Sequence, residues 1–149
     1  MILKKEVLKL GKKYLSEMND AEEFLKVAES NFNTSLKTSA NRMYFALERA
    51  VAAFLHFKDK KVPKSRQKLW MIASELLGEN CYQILRQLYD FRLQADYGSI
   101  SKIVSLDSVV LKEFLAKTKE VVFYIKKSIL TEGNNKDSFE KGEDTKKVL

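Results

Sequence analysis

The stretch SANRMYFALERAVAAFLHF, residues 39–57, is the most apolar part of the sequence. Its apolar side chains recur at steps of three and four residues, which is the spacing of one face of an α-helix. The members of this face are Ala40, Tyr44, Leu47, Val51, Phe54 and Leu55. The pattern predicts a helix from about Ser39 to Phe57 that turns this face toward a hydrophobic core.

Helical spacing continues on both sides of this stretch. Downstream it predicts short helices at about 65–77 and 79–97, divided by Gly78, and a long last helix from an N-cap at Ser105 to about Leu130. Upstream, Asn19 is expected to begin a helix because acidic residues follow it in the first turn. The sequence therefore predicts an all-α fold, an antiparallel up-and-down bundle of about five helices.

Composition divides the chain into three parts. Residues 1–18 are expected to form an amphipathic N-terminal helix, residues 19–130 the bundle, and residues 131–149 a disordered tail. The tail combines mixed charge with a single aromatic residue. Such a segment cannot bury enough apolar surface to offset the entropy of ordering it.

The counts of a few residue types exclude several protein classes. One Cys and one His among 149 residues cannot form a zinc site or an internal disulfide, so no metal or cofactor is expected. The glycine-rich phosphate loops and the common hydrolase motifs are absent. No secretory signal or long apolar run is found, so a cytoplasmic protein without a membrane span is expected. The net charge of +7 favours an anionic partner, with nucleic acid as the first candidate.

One charged residue interrupts the apolar face of the fourth predicted helix. This face runs through Cys81, Leu85 and Leu88, and the next position holds Arg92. Arginine is almost never buried without a partner. Two interpretations are open. Arg92 either forms a local ion pair with Asp96, four residues on, or its guanidinium is held rigidly at a groove or dimer seam, where it binds a phosphate bidentately.

Other polar residues carry weaker signals. Asn41 and Arg42 directly precede the apolar run of the second helix and are candidate phosphate ligands. The loop 58–64 is rich in lysine, and its Lys60 and Lys61 are either solvated or attract phosphates without specificity. His56 is the only histidine, and its place at a helix end favours a surface role over that of a general base.

The spacing of Cys81 and Trp70 favours core packing. Cys81 shares the apolar face of the fourth helix, so we expect a small buried side chain rather than a reactive thiol. Trp70 also occurs at helical spacing, which favours the core over a platform for stacking bases.

Two segments together resemble the HEPN domain family (higher eukaryote and prokaryote nucleotide-binding). NRMYFALERAVAAFL, residues 41–55, is similar to the family's N-R-x-Y-Y-A element, and FRLQADYG, residues 91–98, is similar to its R-x-x-A-D-Y element. The run AEEFLKVAE, residues 21–29, matches the family's first helix. The resemblance covers about residues 19–126, with both motifs at the expected separation.

This resemblance implies a bundle that usually forms a homodimer and is often encoded beside a nucleotidyltransferase-like antitoxin. Many relatives are metal-independent ribonuclease toxins that use an Arg followed, after four to six residues, by a His. The Arg corresponds to Arg92, but no His follows at that spacing, and the fifth position beyond Arg92 is Tyr97. The residue directly after Arg92 is Leu93, where toxins often have a polar residue. A tyrosine, with an ordinary pKa of about 10, is a poor base at neutral pH.

Three functional hypotheses follow. The first is a dimeric HEPN module that binds RNA or nucleotide phosphates through Arg92, Asp96 and Tyr97, as the toxin-like partner of a nucleotidyltransferase. The second is an active metal-independent ribonuclease with Arg92 and Tyr97 in catalytic roles. The third is a structural partner domain in which Arg92 and Asp96 only hold the bundle together.

Overall fold

The computed structural model describes the backbone of residues 2–97 and 107–148, and the side chains of residues 13–94 and 107–132. These parts of the chain form five helices. They are α1 (Ile2–Ser30), α2 (Leu36–Phe57), α3 (Arg66–Leu77), α4 (Glu79–Tyr97) and α5 (Ser108–Val148). The prediction of an all-α bundle of about five helices is confirmed.

Helix α2 is the central element of the bundle. The Oγ of Ser35 caps it by accepting a hydrogen bond from the Thr38 amide at 3.2 Å. Its neighbours are α1, α4 and α5, and α3 packs on α4. All six side chains of the predicted apolar face are buried, namely Ala40, Tyr44, Leu47, Val51, Phe54 and Leu55. The most apolar stretch of the sequence thus forms the core to which the other helices attach.

Helix α1 runs without a break from Ile2 to Ser30, so the predicted helix start at Asn19 is wrong. Met18 and Ala21 are both buried against the core, and the apolar face therefore continues past Asn19, which points to solvent. A short turn leads from α1 to α2. The buried hydroxyl of Ser39 donates to the Ala28 carbonyl at 2.7 Å and joins the two helices.

The connections around α3 follow local backbone rules. Helix α2 ends where Asp59 adopts a left-handed φ of 57°, before Pro63 is reached. Ser65 caps α3 through the Lys68 amide at 3.4 Å. Gly78, with a φ of 100°, ends α3 as expected, since glycine adopts positive φ without a Cβ penalty.

Helix α5 begins at Ser108, and the predicted N-cap Ser105 lies outside the described residues. Asp107 lies at the start instead, and its Oδ1 accepts a hydrogen bond from the Val110 amide at 2.9 Å. The backbone of α5 continues to Val148, beyond the expected end near Leu130. The division of the chain at residues 18 and 130 stays a prediction. Among the described helices, none combines the length and apolar character needed to cross a membrane.

Candidate functional site

The guanidinium of Arg92 lies among three aromatic rings at the edge of the core. Its central carbon is 4.8 Å from the ring centre of Phe45, 5.8 Å from that of Tyr44 and 5.9 Å from that of Tyr89. The side chain is half-buried. A ring face attracts a cation through its quadrupole, so these rings help to hold the guanidinium in place.

This contact joins the two sequence motifs of the chain. Tyr44 and Phe45 belong to the segment 41–55 on α2, whereas Arg92 belongs to the segment 91–98 on α4. Tyr44 is anchored in turn, because its hydroxyl donates to the Glu48 carboxylate at 2.6 Å. Burial and then this carboxylate raise the pKa of Tyr44 far above its ordinary range, so the phenol keeps its proton and acts as a donor.

Arg42 lies on the other side of Phe45, toward α1. Its guanidinium is 5.6 Å from the ring centre of Phe24, and that ring is 5.9 Å from the ring of Phe45. A small recess of about 250 Å³ there is also lined by Asp20 and Glu23. Arg42 thus faces a carboxylate-bearing recess, while Asn41 is half-buried on the same turn of α2.

Two predicted site residues lie at the C-terminal end of α4, where the helix ends at Tyr97. The side chains of Asp96 and Tyr97 lie outside the described residues. The Arg92–Asp96 pair and the role of Tyr97 therefore stay predictions.

The lysines of the loop after α2 are remote from Arg92. Lys60 and Lys61 are exposed, and the loop begins beyond Phe57. Twelve residues of helix separate Phe57 from Phe45, a distance of about 18 Å at 1.5 Å per residue. The structure therefore does not bring these two lysines to the Arg92 site.

A groove between α3 and α4 lies beside the Arg92 site. Its volume is about 440 Å³, and it contains two guanidinium groups, from Arg66 and Arg86, together with the rings of Trp70 and Tyr89. Three glutamines, Gln67, Gln83 and Gln87, add amide donors and acceptors. The Arg66 guanidinium is 4.2 Å from the ring centre of Tyr89 and donates to its hydroxyl at 3.0 Å. Tyr89 therefore contacts both Arg66 and Arg92.

His56 forms a second polar centre, at the other end of α2. Its Nδ1 is hydrogen-bonded to the carboxylate of Glu17 on α1, and the two side chains are only 17% and 10% exposed. Sequence reasoning expected a surface histidine, and the pairing partner was missed. Glu17 occupies a position on the face that contains Tyr14, Met18 and Ala21, so an acid at an apolar position was the signal that could have revealed it.

Cys81 and Trp70 pack in the core as predicted. Both are buried, and burial raises the pKa of the Cys81 thiol to about 12, so the thiol is protonated at neutral pH. The ring of Trp70 packs nearly edge-on against Tyr82 and Tyr89, at 6.3 and 5.5 Å between ring centres.

Comparison with known proteins supports the relation suggested by these motifs. No curated protein matches the chain. The family model described as the HEPN domain matches residues 16–128, about three quarters of the sequence, and this range contains both motif segments and all the contacts of Arg92 described above. The chain belongs to the HEPN domain family.

Proposed function

We propose that this protein is a dimeric HEPN module that binds the phosphates of RNA or of a nucleotide beside Arg92, as the toxin-like component of a pair with a nucleotidyltransferase. The observation that carries the proposal is the position of the Arg92 guanidinium among Tyr44, Phe45 and Tyr89. A guanidinium already held in place loses less conformational entropy when it binds a ligand. Its planar fork also matches a phosphate bidentately.

The groove between α3 and α4 supports the same function. Arg66 and Arg86 add two positive charges next to the rings of Trp70 and Tyr89, and Asp90 adds one negative charge, so the groove stays positive. A volume of about 440 Å³ lies within the range of small-molecule pockets, and the glutamine amides can hydrogen-bond to base edges. A nucleotide in this groove would lie one aromatic ring away from Arg92.

Binding is favoured over cleavage by the position of the only histidine. A general base must lie within hydrogen-bond reach of the proton that it removes. His56 lies eleven residues from Phe45 on the same helix, about 16 Å away. Within one subunit, it cannot serve as the base for a bond held beside Arg92, and Tyr97 is a poor substitute at neutral pH.

Dimerisation and the partner protein follow from the family resemblance rather than from the geometry. We expect a homodimer in which two copies of Arg92 face one cleft. Sedimentation at micromolar concentration tests this expectation, and a monomer would contradict it. An adjacent nucleotidyltransferase gene whose product co-purifies with this chain would support the toxin-like role.

The central experiment measures the affinity for a labelled single-stranded RNA as a function of salt. Arg92→Lys keeps the charge but loses the planar fork, and we expect it to weaken binding about tenfold. The control is Lys112→Gln, which removes an exposed charge on α5. Wild-type affinity should fall steeply with salt because phosphate contacts release counterions.

Two outcomes would contradict the proposal. One is equal affinity of the wild type and a folded Arg92→Lys variant. The other is no binding at low salt. Incubation with a chelator during the same assay reports on cleavage, and chelator-resistant cleavage that Arg92→Ala abolishes would favour the ribonuclease hypothesis instead.

A further inference from the structure

A second pocket opens around His56, between α1, α2 and the segment that leads into α3. Its volume is about 550 Å³. Its charged lining residues are Lys13, Glu17, Glu48, Arg49, Lys64 and Arg66. Arg92 does not line this pocket, which extends along α2 from Glu48 to His56 and shares Arg66 with the groove between α3 and α4.

Positive charge exceeds negative charge in the pocket. Four of the lining side chains are cations and two are carboxylates, apart from His56 itself. Both carboxylates are engaged, because Glu17 binds His56 and Glu48 accepts a hydrogen bond from Tyr44.

The cations of the pocket, in contrast, have no ion-pair partner in the part of the chain that the structure describes. None of Lys13, Arg49 and Lys64 forms an ion pair with any residue that the structure describes. Like charges gathered at a concave surface repel one another, and a bound anion would relieve this repulsion.

The Glu17–His56 pair orients the imidazole in this pocket. A carboxylate only accepts hydrogen bonds, so the proton of the pair lies on Nδ1. Nε2 is then the remaining ring nitrogen, and it donates a hydrogen bond to a phosphate oxygen when the ring is in its doubly protonated form. A buried carboxylate behind a histidine fixes the ring and its tautomer, as in many sites where histidine contacts a ligand.

We propose that this pocket binds a phosphomonoester, with Arg49, Lys64 and Arg66 against the phosphate and His56 as a hydrogen-bond partner. A phosphomonoester carries nearly two negative charges at neutral pH, which matches the charge excess better than a singly charged diester does. The volume exceeds what one phosphate fills and leaves room for a nucleoside. Arg92 itself takes no part in this proposal, although Arg66 also lines the groove beside the Arg92 site.

The single histidine allows a direct test, since its ring resonances in an NMR spectrum need no further assignment. AMP and inorganic phosphate, titrated at low ionic strength, should move the His56 resonances saturably. Adenosine should not move them, because it lacks the phosphate. Arg49→Gln and Lys64→Gln should each weaken AMP binding about tenfold, the cost of one charge-assisted hydrogen bond.

Matched variants separate this pocket from the Arg92 site. Arg49 and Lys64 are exposed, so their substitution leaves the core intact. Substitution of His56, in contrast, is expected to destabilise the protein. Lys112→Gln removes a charge from α5, which does not line the pocket, and should bind AMP like the wild type. Arg92→Lys should weaken RNA binding and leave the AMP-induced shift of His56 unchanged.

The same titration with RNA distinguishes the two sources of a phosphomonoester. If a 5′-phosphorylated oligoribonucleotide shifts the His56 resonances more than the same oligoribonucleotide with a 5′-hydroxyl group, the pocket is assigned to RNA ends. If the two oligoribonucleotides produce equal shifts, the pocket is assigned to free nucleotides. The proposal is overturned when millimolar AMP leaves the His56 resonances in place. It is also overturned when Arg49→Gln and Lys64→Gln bind AMP as the wild type does.

Discussion

Arg92 packs against α2 from α4, and His56 is part of α2, and the two side chains are held in place by different means. At Arg92 the guanidinium lies against the rings of Tyr44, Phe45 and Tyr89, which carry no net charge. At His56 the position is fixed by the carboxylate of Glu17, which is itself buried. Rings hold a cation mostly through packing and polarisation, whereas a carboxylate holds an imidazole through a proton.

This difference separates the energetic roles of the two residues. Removal of a side chain packed on rings leaves apolar surface that another long side chain can cover. Removal of one partner from a buried pair leaves a polar group without a partner, which costs far more. We therefore expect the His56 region to matter for stability and the Arg92 region to matter for binding.

The largest expected effect is on stability, at His56. His56→Ala should lower the free energy of unfolding by about 3 kcal/mol, because Glu17 is left buried without its partner. Urea denaturation at neutral pH measures the change. Glu17→Gln should cost less, since the amide oxygen can still accept a hydrogen bond from Nδ1 of the imidazole.

A double-mutant cycle makes this test specific to the pair. The Glu17→Gln, His56→Ala double variant should be more stable than the sum of the two single losses predicts. A His56→Ala variant as stable as the wild type would show that the carboxylate does not hold the imidazole, and the contrast with Arg92 would fail.

The next largest effect concerns RNA binding at Arg92. Arg92→Met retains a long side chain that packs on aromatic rings but removes the charge and the N–H donors. We expect RNA affinity to fall about thirtyfold, and the unfolding free energy to fall less than it does in His56→Ala. A fluorescence titration and a urea melt on the same preparation measure the two quantities. A variant that loses stability but not affinity would reverse the roles proposed for the two regions.

The fold was predictable because helical periodicity is repeated along the chain. Each predicted apolar residue of α2 is buried, and α4 has the bounds that the sequence indicates. The errors lie at helix ends. Asn19 suits an N-cap, but buried Met18 and Ala21 extend the helix through it, so tertiary packing overrides the local preference.

The site was only partly predictable. Arg92 is visible in the sequence because a charge stands in an apolar series. Its partners Tyr44 and Phe45 are more than 40 residues away, and only folding shows that they meet Arg92. The same limit applies to the pairing of Glu17 with His56, since a spacing of 39 residues carries no periodic signal.

Cys81 is a third titratable side chain, and burial alone changes its pKa. Burial raises the pKa of this thiol from 9.0 to about 12. Above pH 9 the unfolded chain loses the proton that the folded chain keeps, so stability falls as pH rises. The expected loss from this group is about 1.4 kcal/mol between pH 8 and pH 10.

Comparison of the wild type with Cys81→Ala isolates this contribution. The variant carries a constant loss from the smaller side chain, but its stability should decline less between pH 8 and pH 10. Urea melts across this range measure the two slopes. Parallel slopes would mean that the folded protein ionises Cys81 as readily as the unfolded chain does, contrary to a buried thiol.

The smallest expected effect is the one that links the two regions. Arg66 lines the pocket around His56 and the groove between α3 and α4, and it stacks on Tyr89, which also contacts Arg92. Arg66→Gln should weaken both AMP binding and RNA binding, each about fivefold, because an exposed guanidinium contributes less than a half-buried one. Stability should change by less than about 0.5 kcal/mol. A loss confined to one ligand would assign Arg66 to a single site, and the two regions would then bind their ligands independently.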